Sequence, residues 1–465
     1  MLQWIESTNN LVNGIVWGPP FMILLVATGL YLSVRLGFFQ FRHFGHAWRH
    51  SFGQLFRRTE RQEAGVITPF QAVTSAMAAT IGVGNIAGVA TAIVLGGPGA
   101  IFWMWMVALV GMATKMAEAT LGLKYRHVDA DGHVSGGVFY YIEKGLGPQW
   151  KWLAVLYAFF AGLAAFGIGN MVQSNTLAEA VSQASGGVVP AWTTGMIAVL
   201  LVGAVTLGGI SRIAATAEKI VPIMAVVYLL GGLSILIIHV TEIPAALWMI
   251  VEHAFKPMSA VGGFAGASVA LAVRYGIARG IFSNEAGLGS ASIVHAQARN
   301  QPFRQGFWGM WEVFIDTLVV CTMTALVILL TGVLGSVDEN GQVITGAVLT
   351  TTAFTTGLPG PGGYLVLTSI IFFAYTTMLT WNFYGEKSWE YLFGRRVVFP
   401  YRLIFLVFVF LGAVGALELI WDIADTLNGL MAAPNLVALI LLAGVMAREK
   451  LDYFERLRNG TYRDS

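Results

Sequence analysis

Charge is what this chain has least of. Only 11% of its 465 residues are Asp, Glu, Lys or Arg, against 56% hydrophobic, and its mean hydropathy is +0.69. A soluble domain carries about 25% charged residues, so this chain has too few to cover a water-facing surface. No polar stretch is long enough to fold alone, and residues 1–465 read as a single membrane domain. The one cysteine, Cys321, lies in an apolar run, which excludes an internal disulfide and a Cys-based metal site and leaves a small buried residue. A Walker pattern is missing, which argues against direct ATP coupling in this chain. HExxH, Ser-His-Asp spacing and paired catalytic carboxylates on facing spans are missing too, and these absences argue against a membrane enzyme. Of the eight histidines, His43, His46, His50 and His127 stand in basic loops, where solvation is the default role. The first residues lack a basic n-region and a small-residue cleavage pattern, so a retained helix is expected rather than a cleaved signal.

What is present is a series of apolar stretches of bilayer length. They lie at 14–36, 68–95, 101–124, 152–176, 190–207, 220–239, 260–282, 307–334, 363–384, 401–419 and 428–446, which predicts about eleven transmembrane helices. The first loop holds Arg35, Arg42, Arg49, Arg57, Arg58 and Arg61, which places it in the cytoplasm and the N-terminus outside. Alternation then puts 24 of the 27 basic residues, Arg279 included, on the cytoplasmic side, with Glu242, Asp338, Glu339, Asp422 and Asp425 outside. The C-terminus becomes a cytoplasmic basic tail at 448–465. Segments 39–61, 242–255 and 346–354 read as interfacial helices. Trp103, Trp105, Trp150, Trp152, Trp308 and Trp311 fall where an aromatic belt is expected.

Glycine placement is the most informative pattern. The second span contains Thr80-Ile81-Gly82-Val83-Gly84-Asn85-Ile86-Ala87-Gly88. Glycine is a poor helix former, and open backbone at membrane depth survives only where it lines a cavity or is buried in protein. Five spans later Gly262-Gly263-Phe264-Ala265-Gly266-Ala267-Ser268 interrupts a second helix. Paired interruptions at matching places mark an inverted-repeat transporter. The expected layout is an extra N-terminal helix at 14–36, a first repeat over 66–239 and a second over 260–447. The alternative use of such glycines is close helix packing, the reading preferred for 99–113 and 203–208. A broken helix offers amides and a positive dipole end to a carboxylate, and carbonyls to an ammonium or a sodium ion. A zwitterionic amino acid therefore fits such a break.

Longer motifs carry a resemblance. The run Gly96-Gly97-Pro98-Gly99-Ala100-Ile101-Phe102-Trp103-Met104-Trp105-Met106-Val107-Ala108-Leu109-Val110-Gly111 resembles the signature of the alanine or glycine:cation symporter family, the sodium:alanine symporters. Gly82–Gly88, Phe282-Ser283-Asn284-Glu285-Ala286-Gly287-Leu288-Gly289-Ser290 and Thr380-Trp381-Asn382-Phe383-Tyr384-Gly385-Glu386-Lys387 resemble it as well. The resemblance implies an all-α, leucine-transporter-like fold with a five-plus-five inverted repeat, and symport of alanine or glycine with Na⁺.

By local pattern, the resemblance implies that Gly82, Val83, Gly84 and Asn85 place amides around the substrate carboxylate. Thr80 and the carbonyls of Gly263, Phe264 and Ala265 face the ammonium. Na⁺ sits between the carbonyls of Ala78 and Ile81 and the hydroxyls of Thr376 and Thr377, oxygen donors suited to a hard cation. Gln173 and Asn175 reach in from the fourth span, and Trp381 closes the pocket against larger side chains. Each has a plainer alternative. Thr376 and Thr377 can bond back to their own helix, Gln173 can meet water at the outer boundary, and Trp381 can be a packing aromatic. Ser283–Ser290 reads as a Gly-rich cytoplasmic loop with a structural or gating role. Lys115 and Glu118 read as an ion pair three residues apart, with Arg274, Glu312 and Asp316 deeper in the membrane.

Asp316 is the candidate carboxylate for the rival coupling, an H⁺-driven transporter of the same fold for another small neutral amino acid such as serine, although pairing with a neighbouring helix is the preferred reading of this residue. A channel would show rings of charges or carbonyls, whereas one pair of broken helices suits a single site with alternating access. The expected partners are a small neutral amino acid, Na⁺ and membrane lipid, with no cofactor, no nucleic acid and no obligate protein partner. The expected location is the inner (plasma) membrane.

Overall fold

The computed structural model describes residues 2–54, 65–259, 266–415 and 418–460. Helices dominate, joined by short turns. The chain opens with α1 (Leu2–Val16) and α2 (Pro19–Arg35), bent by 42° where Trp17 and Gly18 intervene. Short helices α3 (Phe39–Arg42) and α4 (Phe44–His50) follow, in the segment expected at an interface. A capping box starts α5 (Pro69–Thr80): the Thr68 hydroxyl accepts from the Gln71 amide, and the Gln71 side chain accepts from the Thr68 amide. A π-helical turn at Gly84–Gly88 leads into α6 (Val89–Gly96), and the two together, Gly84–Gly96, are bent 48° from α5. Next is α7 (Gly99–Lys124). A small hairpin then pairs β1 (His127–Val128) with β2 (Val134–Ser135), His127 opposite Ser135. After the short α8 (Val138–Tyr141), α9 (Lys151–Phe166) and α10 (Val172–Ala184) form one long span around a π turn at Gly167–Met171.

Then come α11 (Ala191–Thr206), α12 (Gly209–Ile238) and α13 (Ile243–His253). The last of these lies in the segment expected at an interface. The second half holds α14 (Val269–Asn284), α15 (Ala291–His295), α16 (Pro302–Val313) and, after a π turn at Phe314–Cys321, α17 (Thr322–Leu330). It ends with α18 (Gly346–Gly357), α19 (Pro361–Phe393), α20 (Val398–Val414) and α21 (Glu418–Arg458). Among the described residues, seven helices are long and apolar enough to cross a membrane, or nine with each bent pair taken as one span. Two more helices of the expected set, α11 and α14, have 16 residues each.

Packing separates lipid-facing from central helices. Leu200, Ile223, Ile237 and Val407 on α11, α12 and α20 are exposed, as lipid contact requires. By contrast α7 is sandwiched between α14 and α16. A Cβ on Gly276 of α14 would stand 2.4 Å from the Ala100 carbonyl oxygen, and one on Gly309 of α16 would stand 2.7 Å from that of Lys115. Small residues at these crossings let the backbones close up. Trp308 and Trp311 are buried in this packing (3% and 1% exposed), and so are not the belt aromatics the sequence suggested.

In the second half the described break lies at another place than the glycines at 262–266. Residues 260–265 lie outside the described residues. From Ser268, whose hydroxyl accepts from the Leu271 amide, α14 runs uninterrupted to Asn284. The chain then breaks over Glu285–Ser290, deep in the protein, and resumes as α15. Backbone geometry requires the break: Glu285, Gly287 and Gly289 have φ of +56°, +98° and +80°. This segment was expected to be a cytoplasmic loop, yet every residue from Ser283 to Ser290 is buried. Arg279 is likewise no loop residue. It sits within α14 and pairs with Asp425 of α21 at 3.1 Å.

Candidate functional site

The first break opens where α5 stops. Ile81 leaves the helical region (φ −77°, ψ 85°), and the Asn85 side chain reaches back to accept from the Gly82 amide at 2.9 Å. Asn85 is therefore turned inward and acts as a local cap. Its Nδ2 donates to Asp316 Oδ1 at 2.6 Å. The carbonyls freed at the start of the π turn are taken by neighbouring helices: Thr324 donates to Asn85 O and Thr350 to Ile86 O, at 2.8 and 2.9 Å. Val83, Gly84 and Asn85 are fully enclosed, and Gly84 packs against the Phe282 ring and the Ser283 backbone at the end of α14. Thr80 bonds only weakly, to Ala76 O and Met77 O at 3.4 and 3.5 Å.

Across from this break runs α19, whose hydroxyls form a ladder on α5. Thr377 donates to Ala78 O and Thr380 to Ser75 O, each at 2.9 Å. Thr376 points elsewhere: its hydroxyl bonds back to Phe372 O at 2.9 Å and lies 3.6 Å from the Met224 sulfur of α12. Successive helical residues diverge by about 100°, so only one of the adjacent threonines can face α5. The pair sharing that face is Thr377 and Thr380, and Thr380 was not among the expected site residues.

A third wall comes from the π turn at Gly167–Met171, which frees a carbonyl that Gln173 Nε2 binds, Ile168 O at 3.0 Å. Such turns recur at functional sites. Gln173 is buried (2% exposed), and its Oε1 has no hydrogen-bond partner among the described residues. That oxygen faces the break: a Cβ on Gly82 would lie 2.7 Å from Thr377 Oγ1 and 3.7 Å from Gln173 Oε1. Of the residues predicted from sequence, Ala78, Ile81, Gly82, Gln173 and Thr377 therefore converge. Asn175 turns away, donating to Gly415 O at 3.2 Å. Gly263, Phe264 and Ala265 lie outside the described residues.

Trp381 belongs to the second break. Its Nε1 donates to Glu285 Oε1 at 3.0 Å, and its Cβ packs on Gly169 of the π turn. Around that break α7 supplies both signs. Lys115 donates to Asn284 O at 3.0 Å, the last carbonyl of α14, and lies 3.6 Å from Glu312. Glu118 accepts from the amides of Gly287 and Gly289 at 2.9 and 3.1 Å, and from Asn435 Nδ2 at 2.7 Å. Ser290 donates to Glu285, and His295 bonds Glu312. Buried ionisable groups in a membrane protein are costly unless paired, and here their partners are the open backbone of the break. Lys115 and Glu118, expected as an intrahelical pair, therefore serve this backbone on one helix face. The sequence signal was available: a glutamate between a helix end and two glycines, in Ser283–Ser290.

Asp316 joins the two breaks. Besides Asn85, its carboxylate accepts from Ser283 at the end of α14 and from Thr317, at 2.9 and 2.8 Å. At the hairpin end the broken helices are also tied by backbone. Val66 N donates to Gln297 O at 2.8 Å and Arg299 N to Ile67 O at 2.9 Å. The hairpin covers this seam: Gln297 Nε2 donates to Val134 O, while Ser135 and His133 reach Glu390 at the end of α19. At the opposite end, cavities open beside α10.

An uncharacterized transporter of Haemophilus influenzae is 47% identical over 461 residues, 98% of each chain. The sodium/alanine symporter AgcS of Methanococcus maripaludis is also 47% identical, over 97% of this chain and 98% of its own. Among solved structures, MhsT in complex with L-phenylalanine superposes with a TM-score of 0.56 at 12% identity, over 84% of this chain and 99% of MhsT. That likeness speaks for the fold, which is leucine-transporter-like. The sequence profile of the sodium:alanine symporter family runs through residues 2–465, and the chain belongs to that family.

Proposed function

We propose that this protein is a Na⁺-coupled symporter importing alanine or glycine, with eleven spans, a five-plus-five inverted repeat after the first span, and the hairpin and C-terminus in the cytoplasm of a cell whose inner membrane it crosses. The observation that carries the site is the convergence at the first break. An interrupted helix, the Ala78–Thr377 oxygen pair 2.9 Å apart and the Gln173 carbonyl, unpartnered among the described residues, meet around Gly82. The helix that resumes after Gly82 directs its dipole at a carboxylate. Gln173 Oε1 is the acceptor placed for an ammonium. The carbonyls of Ala78 and Ile81 with the Thr377 hydroxyl are oxygen donors for Na⁺. Crowding at Gly82 favours a substrate with a very small side chain.

In this mechanism Na⁺ bridges α5 and α19, which sets the position of the break, and the amino acid completes the site from the cavity side. Release follows when the seam between Val66–Ile67 and Gln297–Arg299 parts under the hairpin. A second reading, H⁺ coupling with a substrate such as serine, is favoured by Asp316, a buried carboxylate whose bonded partners here are neutral donors on both broken helices. Uptake of radiolabelled alanine into proteoliposomes separates the two. An inward Na⁺ gradient should drive accumulation that an equal K⁺ gradient does not. Equal uptake in K⁺ that responds to a pH step would overturn the Na⁺ reading in favour of Asp316.

A further inference from the structure

Above the first break, α10 carries a polar stripe toward the end away from the hairpin. Gln173, Thr176 and Glu179 follow at three-residue steps and Gln183 continues the row, a spacing that keeps side chains on one face. Two cavities of about 310 and 590 Å³ open along it. Both are lined by Glu179, Gln183 and Val348; one reaches down to Thr176 and the other extends to Asn175 and Gly415. Thr176 is one turn from Gln173, whose carbonyl, unpartnered among the described residues, faces the break.

Glu179 is the one charged residue in this described lining, and it is exposed. It makes no ion pair among the described residues, whereas Arg279 pairs with Asp425 and Lys256 with Glu252. A lone carboxylate in a concave wall of low dielectric concentrates cations.

We propose that these joined cavities form an antechamber in which Glu179 holds the cationic end of the incoming solute, Na⁺ or the α-ammonium of the amino acid, before it descends to the first break. This rests on the symporter reading and adds a second, transient site to it. The larger cavity is within the range of small-ligand pockets, and the stripe provides amide and hydroxyl partners on the way down.

The test is transport kinetics in proteoliposomes for Glu179→Gln, Glu179→Asp and, as a control outside the cavities, Glu252→Gln. Ionic strength is set with N-methylglucamine chloride. KM for Na⁺ is read at saturating alanine, and KM for alanine at saturating Na⁺. Glu179→Gln should raise one or both about threefold at low ionic strength, with Vmax unchanged, and the difference should vanish at high ionic strength. Glu179→Asp should behave as the unsubstituted protein. A rise confined to the Na⁺ arm assigns the antechamber to the ion, and one confined to the alanine arm assigns it to the ammonium. An unchanged KM, an effect on Vmax alone, an equal shift in Glu252→Gln or a shift indifferent to salt would overturn the proposal while leaving the symporter reading intact. No Na⁺-dependent uptake by the unsubstituted protein would overturn both.

Discussion

Replacing Thr377 by valine keeps the shape of the side chain and removes one hydroxyl. In the structure that hydroxyl is 2.9 Å from Ala78 O and borders the space beside Gly82. Two effects should follow. Ala78 O loses a buried partner, which costs about 1–3 kcal/mol of stability. If the hydroxyl also contacts Na⁺, a bond to a charged group contributes about 1.5–3 kcal/mol, or roughly a ten- to hundredfold rise in KM for Na⁺. Thr376→Val is the internal control. Its hydroxyl is satisfied by Phe372 O within its own helix, and such local bonds contribute little. KM for Na⁺ in that variant should change by less than about twofold. The assay is Na⁺-dependent alanine uptake in proteoliposomes over a series of Na⁺ concentrations, with alanine saturating. A Thr377→Val protein with an unaltered KM for Na⁺, or a Thr376→Val protein with the larger shift, would refute the placement of the ion between α5 and the Thr377 face of α19.

Two further outcomes follow from packing and charge. Gly169→Ala should lower the melting temperature in detergent, because its Cβ would stand 2.1 Å from both Cβ and Cγ of Trp381, an overpacking that costs about 1–3 kcal/mol or more. Adding Trp381→Ala should not restore the loss, since the Cβ contact remains. Outside the membrane, burial would raise the Glu143 carboxyl, but the Tyr391 hydroxyl at 2.6 Å and Lys151 at 3.3 Å outweigh it and hold the group below its usual value. A carboxyl depressed on folding adds stability above its unfolded pKa and loses it as pH falls through the folded one. Glu143→Gln should therefore melt lower than the parent at neutral pH, and the gap should close as pH drops below about 4.

The first break was legible because Gly82, Gly84 and Gly88 with Asn85 weaken a helix locally, whatever surrounds it. The break at Glu285–Ser290 reads as a loop in the sequence for a related reason. Gly262, Gly263 and Gly266 precede α14, whereas Glu285, Gly287 and Gly289 form the break. Local composition does not distinguish a glycine-rich loop between two helices from a glycine-rich interruption within one. The difference lies in which open amides and carbonyls find partners, and those partners, Glu118, Lys115 and Asn435, stand on α7 and α21, far along the chain.

By itself the sequence determined that this is a polytopic helical membrane protein, that one helix breaks at Gly82, and that its motifs resemble sodium:alanine symporters. Those properties rest on hydropathy, on glycine's backbone freedom and on long contiguous motifs, all local in the chain. Only the tertiary structure decided that Thr377 and Thr380, not Thr376, face α5, that Trp381 serves Glu285, and that Asp316 joins the two breaks. Each of those depends on the rotation of one helix about its axis relative to another, which packing across α5, α7, α14 and α19 sets and which a single sequence does not record.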